Sequence, residues 1–493
     1  MDDEVEAGAA GLFATVYGGD EDAVVRALRA GAPADGPDAD GEGRTALYVA
    51  SVSDEPGIVR LLLAAGADPD RLSGGTDLPL CGAACGGHTE VVRALLAAGA
   101  RVDLREEFGF TAMAWALQRG RVEVVRALLD GGADPSLAGP GGLPLVAAAR
   151  RGSTGCVRAL LEHGARGRAE ALREALAWCG VDVAAVLQEG LEQPGREAVT
   201  QRFAEDGGVT VVVELLDDEG RPTAGNDLQT GHAAIATLLE AELGIALPAA
   251  DLAGRALRRG DPDDDDWTEA VAVLQRRGDE ETFRSAAAWC AGDEALRRAF
   301  GADVLGQLGP RGAYAARSLP LLSALARTAR DAAGLRSAVV ALGHLGDPAA
   351  LPEILLHAGH RDPRVRRAVA LALTGLVPAG HEEGVAALVA LAGDPDGDVR
   401  NWAAAGLASA PADTAGVRQA LVALLDDPVA DAAAEAARGL AVRHDPRAVD
   451  ALARILAVEA PDGYAYETAR DAVRHLPDAR VRARLERTLP RCR

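Results

Sequence analysis

The sequence predicts an all-α chain built from two helical solenoids in series, with a short β insertion near residues 209–216. Three observations carry this. A phrase returns along the first third, "VVRALLAAGARVD", "VVRALLDGGADP", "CVRALLEHGARG", closing on Gly31, Gly66, Gly99, Gly132 and Gly164 at steps of 35, 33, 33 and 32 residues. A period in that range marks stacked helical units, none of which buries its apolar face alone. A different phrase returns near the other end: "AAGLRSAVVALGHL", "DPRVRRAVALAL", "DGDVRNWAAAGL", "DPVADAAAEAARGL", with Leu335, Val365, Val399 and Ala430 spaced 30, 34 and 31 apart. Finally, the chain is 48% hydrophobic but only 3% aromatic. Its core must therefore come from Ala, Leu and Val, small side chains that let helices pack closely.

Residues 9–168 divide into five units. In "TDLPLCGAACGGHTEVVRALLAAGARVD" (76–103) a first helix over Pro79–Cys85 carries small residues, and Gly86 and Gly87 break it. A second helix, Thr89–Ala98, sets Val91, Val92, Leu95 and Leu96 on one stripe at 3.6-residue spacing. Gly99 is placed to take the left-handed conformation that ends a helix. This design resembles the ankyrin repeat on Thr45 and Thr111, Pro79 and Pro144, Leu47, Leu80 and Leu145, Gly87–His88, and Gly66–Ala67–Asp68. The family's turn His is replaced by Tyr48, Cys81, Ala114 and Val146. The resemblance implies that this His ties adjacent turns together, so the turns here are expected to be softer.

Residues 169–262 read as a helical junction. "REALAWCGVDVAAVLQEGL" is helical by pattern, "GGVTVVVELLDD" is β-branched enough to be a strand, and "DDEGRPTAGND" is a loop by composition. "TGHAAIATLLEAELG" returns to the second-helix template, with Gly231–His232 on Gly87–His88 and Ile235 and Leu239 on Val91 and Leu95. We read a degenerate sixth unit carrying an insertion. Residues 263–493 then repeat one helical hairpin per unit, each marker phrase followed by an apolar stretch such as "VAALVALAG" or "VRQALVALL". Asp-Pro-x-Val-Arg followed by alternating Ala and Leu resembles bacterial HEAT-like repeats. The expected domains are thus 1–168, 169–262 and 263–493.

Charge and composition narrow the chemistry. Every one of the 51 basic residues is Arg. Without Lys there is no Walker A loop, no kinase β3 Lys and no Schiff-base amine in their usual forms. Net charge is −23. It falls as −8 on residues 1–168, −15 on 169–290 and zero on 291–493. Non-specific binding to nucleic acid or to an anionic membrane is disfavoured, and stays open only for the neutral C-terminal third. The start "MDDEVEAGAAG" is unlike a signal or transit peptide, and no apolar run reaches membrane-spanning length. Six scattered Cys read as reduced thiols. The composition suggests a GC-rich bacterial genome, and the expected setting is the cytoplasm.

Chemical motifs have structural readings that outweigh functional ones. Cys81 and Cys85 sit i, i+4 near His88, but no second pair at zinc-ligand spacing accompanies them. His357-x-x-His360 falls where one hairpin gives way to the next. "DPDDDDW" (261–267) lacks the alternation, Gly and distal Glu of a calcium loop. It reads as capping of a following helix, as do "DADGEG" (38–43) and "DPDGD" (394–398). Asp362/Arg366 and Asp396/Arg400 read as rungs of a ladder along the stack. No G-x-S-x-G, H-E-x-x-H or G-x-G-x-x-G occurs. No cofactor or metal is expected.

What remains is surface. Stacked repeats are expected to present one long face and no enclosed pocket. The ankyrin resemblance implies that partners meet the turn tips and the exposed side of each first helix. Aligned, these are Glu42, Arg44, Asp77, Glu107, Phe108 and Phe110 on turns, and Ser53, Gln118, Arg119, Arg150 and Arg151 on helices. The expectation is a monomeric, non-catalytic scaffold for protein partners, with Phe108, Phe110, Arg119, Arg150 and Arg151 at the core of its groove. Two repeat systems suggest bridging of two partners. The alternatives are a dedicated inhibitor or immunity partner of one protein, and an enzyme on the HEAT-like part. For the latter the resemblance allows a bilin lyase or a DNA glycosylase.

Overall fold

The computed structural model describes residues 11–36, 38, 43–191, 197–205, 207–217, 219–308, 314–461 and 463–488. The chain forms two compact units. One holds residues 1–247 with 263–269, the other 248–262 with 270–493. Among the described residues no helix is long and apolar enough to cross a membrane.

In the first unit, short helices Ala46–Val52, Pro79–Gly86, Ala112–Arg119 and Pro144–Arg151 pack side by side in one row. Helices Glu21–Arg29, Pro56–Ala64, Thr89–Ala97, Val122–Asp130 and Thr154–Glu162 form a second row behind it. The first helices start where the sequence provides for it. Thr45 and Thr111 accept from the backbone N–H of Tyr48 and Ala114, while Pro79 and Pro144 occupy the first turn, where no N–H is needed. Each second helix ends before a glycine with positive φ: 95° at Gly31, 94° at Gly66, 91° at Gly99, 89° at Gly132 and 78° at Gly164. L-residues enter that region only at a cost, which is why the phrase closes on glycine. The stripes bury as expected, with Val91, Val92 and Leu95 inaccessible to solvent and Leu96 partly covered.

The turns are tied despite the missing His. Asp68 N–H donates to Asp35 (3.1 Å), Arg101 N–H to Asp70 (2.9 Å), Asp134 N–H to Asp103 (3.1 Å) and Arg166 N–H to Ser136 Oγ (3.0 Å). One acceptor per turn thus reaches about one repeat ahead and links neighbouring turns.

Helix Arg168–Trp178 extends the first row and His232–Glu242 packs against it and against Thr154–Glu162. Ile235, Ala236 and Leu239 join the same core as Val157 and Leu160. Between these helices lie Val183–Leu191 and an antiparallel sheet, β1 (Glu197–Glu205), β2 (Gly208–Leu216) and β3 (Pro222–Gln229), in that order. β2 is the strand expected near 209–216. One face of it, Val211, Val213 and Leu215, is buried, with Val211 and Val213 packed on Val183 and Ala184. The loop expected across "DDEGRPTAGND" is corrected: residues 222–227 are β3, paired Val212↔Asp227, Val213↔Asn226 and Glu214↔Gly225. Gly, Pro, Asn and Asp are poor strand formers, but backbone pairing to β2 overrides that weak preference.

The acid run is more than a cap. Asp264 does cap its helix, accepting from Asp266 N–H at 2.9 Å. Asp266 accepts from Ala234 N–H at 2.8 Å, so it serves the first turn of a different helix, His232–Glu242. Arg158 pairs with Asp265 at 2.7 Å and Glu269 at 2.9 Å.

In the second unit, helices Ala295–Gln307, Ala332–Leu345, Pro363–Leu373, Gly397–Ser409, Ala430–Val442 and Tyr464–Val473 stack in one row, with their hairpin partners alongside. Close approach explains Gly343: a Cβ there would lie 2.6 Å from Ala372 Cα. The ladder has different rungs from those read in the sequence. Arg366 pairs with Asp394 at 2.6 Å and Arg400 with Asp427 at 2.6 Å, each also donating to carbonyls five and six residues back. Asp362 and Asp396 cap their own helices instead, at Arg364 and Val399 N–H. An N-cap carboxylate points into its own first turn, so the arginine's partner comes from the next repeat.

Candidate functional site

The first-helix row does not present an open face throughout. β3 approaches Ala112–Arg119 and Pro144–Arg151 and walls one side of an open cleft of about 450 Å³. The cleft is open to solvent, and the insertion supplies its second wall. The repeat side contributes Phe110, Met113, Ala114, Leu117, Gln118, Arg119, Pro144, Ala147, Arg150 and Arg151; β3 contributes Asn226, Asp227 and Leu228. The volume lies in the range of ligand-sized clefts. A second cavity, about 610 Å³, is lined by Arg119, Arg121, Arg151, Phe203, Thr210, Val212, Glu214, Gly225 and Asp227, among others.

The helices aim the arginines. Arg119, Arg150 and Arg151 end their helices just before Gly120 and Gly152, whose positive φ (65° and 75°) stops each helix. Cations there also suit the negative end of the helix dipole. Their fates differ. Arg151 is only 8% exposed and donates to both the carboxylate and the backbone carbonyl of Asp227, pinning β3 to the repeats. Gly231 N–H to Gly152 O (3.0 Å) and a contact between His232 Nε2 and Arg150 O (3.1 Å) continue that seam. Arg150 forms a two-pronged pair with Glu174 at 3.0 and 3.2 Å. That hydrogen bond holds the Glu174 carboxyl below its usual range and raises Arg150. Arg119 is half exposed and lies 3.9 Å from Asp227 Oδ1.

Of the residues expected to meet a partner, Phe110, Gln118, Arg119, Arg150 and Arg151 line the first cavity together. Phe110 stacks on Trp115 at 4.6 Å, and Trp115 Nε1 donates to Glu106 at 2.5 Å. Phe108, 75% exposed, stands on the tip above, next to exposed Glu107. Arg44 lies apart, paired with Asp38 at 2.9 Å, and Asp77 closes a turn through its carbonyl and Ser73 N–H. Ser53 is exposed at the end of Ala46–Val52. Glu42 lies outside the described residues. Arg151 is not free for a partner as read from the sequence, because Asp227 has taken it. Asp227 and Asn226 were missed. They lie in a segment whose composition reads as loop, and no local signal marks them.

The other motifs settle into local roles. Cys81 is buried with its thiol beside Glu106; burial, then that carboxylate, pushes the thiol up. His360 Nδ1 accepts from Asp362 N–H at 3.1 Å, and burial lowers His357 and His344.

Comparison with known proteins places names on both repeat systems. A family model for an ankyrin repeat matches residues 42–73, one for three copies of the ankyrin repeat matches 74–139, and one for HEAT repeats matches 318–408. No curated protein matches the chain. Among solved structures, the crystal structure of Escherichia coli YibA is similar at 24% identity, covering 50% of this chain and 93% of that one, with a TM-score of 0.38. The chain carries ankyrin repeats over residues 42–139 and HEAT repeats over residues 318–408.

Proposed function

We propose that this chain is a non-catalytic scaffold that recognises protein partners, and that its partner surface is the cleft between the ankyrin first helices and β3. The observation that carries this is the convergence on one cavity of Phe110, Gln118, Arg119 and Arg150 with Asn226 and Asp227. Arg and aromatic side chains around a desolvated centre are the residue types that concentrate binding energy. Repeats of both kinds typically serve protein interaction, and a rigid stack lowers the ordering cost of binding. Phe108 on the tip above adds an exposed aromatic anchor.

The test is affinity capture with the full chain as bait, read by mass spectrometry and repeated with Arg119→Glu, Arg150→Glu and Phe108→Ala. Loss of a specific protein from the variants is the expected result. A captured protein whose affinity none of the three changes would sink the reading. Arg151 is left intact because reversing it would detach β3 and confound the outcome.

A further inference from the structure

We propose that the partner enters this cleft as an extended acidic segment that adds to β3 as a further strand. This rests on the cleft being the partner surface. β3 is an outer strand of the sheet, and among the described residues no strand pairs with its far edge. That edge is held beside the ankyrin helices at one end only, where Arg151 takes the outward carbonyl of Asp227. Outward-pointing backbone groups recur every second residue, so those of Gly225 share this edge. Most side chains from Pro222 to Asn226 are exposed, and Thr223, Ala224 and Gly225 are small. Pro222 and the register shift that skips Thr223 blunt the start of this edge, whereas Ala224, Gly225 and Asn226 carry no Lys, bulge or charge to discourage pairing.

The two cavities fit a strand. Paired residues share a sheet face, so Gly225 and Asp227 lie on the face of Val212 and Glu214, and Asn226 and Leu228 on the opposite face. The 610 Å³ cavity alone takes Val212, Glu214 and Gly225 from the first set, while the 450 Å³ cavity alone takes Leu228 from the second. Arg119, Arg151, Asn226 and Asp227 border both. A strand laid along the edge would send alternate side chains to the two sides. Charge then sets their chemistry. Of the charged residues lining the smaller cavity, Arg150 is paired with Glu174 and Arg151 with Asp227, which leaves half-exposed Arg119, 3.9 Å from Asp227, as the lining cation placed to meet an incoming carboxylate. The larger cavity balances Arg119, Arg121 and Arg151 against Glu205, Glu214 and Asp227, and offers Phe203 and Val212. The occupant that fits alternates acidic with apolar residues, its carboxylate reaching half-exposed Arg119.

The probe is a fluorescein-labelled seven-residue peptide alternating valine with aspartate, titrated against the full chain by fluorescence anisotropy. Saturable binding is expected, weakened about tenfold or more by Arg119→Glu, by exchanging the peptide's aspartates for asparagines, and by N-methylating its alternate amides. Amide exchange over residues 222–229 is expected to slow in the complex. Absence of saturable binding, binding indifferent to N-methylation or to Arg119→Glu, or unchanged exchange in β3 each overturns the proposal. Should the peptide fail while a captured protein is still lost with Arg150→Glu, the scaffold reading stands and only the strand mode falls.

Discussion

Single residues carry the repeat geometry, and their roles divide into those visible in the sequence and those that depend on a distant partner. The closing glycines are visible, because a recurring Gly after an amphipathic helix has a backbone reason. Gly132 has φ 89°, and nothing lies within 4 Å of where a Cβ would sit. Gly132→Ala should therefore cost only the torsional penalty, about 1–2 kcal/mol, read as a lower thermal midpoint. The ladder rungs are not visible, because Asp362 lies close to Arg366 in sequence and yet caps its own helix. Arg366→Ala strips two charge-assisted bonds from nearly buried Asp394 and should cost about 2–3 kcal/mol. Asp362→Ala loses only a cap, about 1 kcal/mol. Urea denaturation of both variants checks the order; equal losses would mean that the rung is not the stronger interaction.

At the scale of elements, helices were legible wherever Ala, Leu and Val recur at 3.6-residue spacing, and β2 was legible from "TVVVELL". β3 was not, since its residues favour loops and it exists because β2 fixes its pairing and Arg151 fixes its position. The same reason hid half of the candidate site. Phe110, Gln118, Arg119 and Arg150 follow from repeat alignment, whereas Asp227 is 76 residues beyond Arg151. We expect Asp227→Ala to speed amide exchange across residues 222–229 and leave helix Thr89–Ala97 unchanged. Unaltered exchange in β3 would show that the Arg151 bond to the Asp227 carboxylate is not what holds the strand.

At the scale of the molecule, the ion-pair ladder makes stability depend on pH. Hydrogen bonds from Arg366 hold Asp394 below the usual carboxylate range, and bonds from Arg447 then Arg418 do the same for Asp445. For Asp427, burial alone would raise the carboxyl, but the Arg400 and Val429 N–H bonds outweigh it and leave it lowered. A carboxyl whose folded pKa is depressed adds stability fully present above its unfolded value, about 3.9, and lost as pH falls through the folded value. Thermal midpoints should thus be insensitive to these groups from about pH 7 to 5 and fall below about pH 4. The fall should be shallower in Asp394→Asn; an identical acid profile would count against the ladder as its source. By itself the sequence determined two helical-repeat systems, their core residues and the helix ends, because each rests on spacing within one repeat and on the torsional freedom of glycine. Only the tertiary structure decided which Asp meets which Arg, that Asp and Ser side chains link neighbouring turns, and that an inserted sheet walls the ankyrin face into a cleft. Those outcomes depend on contacts tens of residues apart in the chain, which no local pattern encodes.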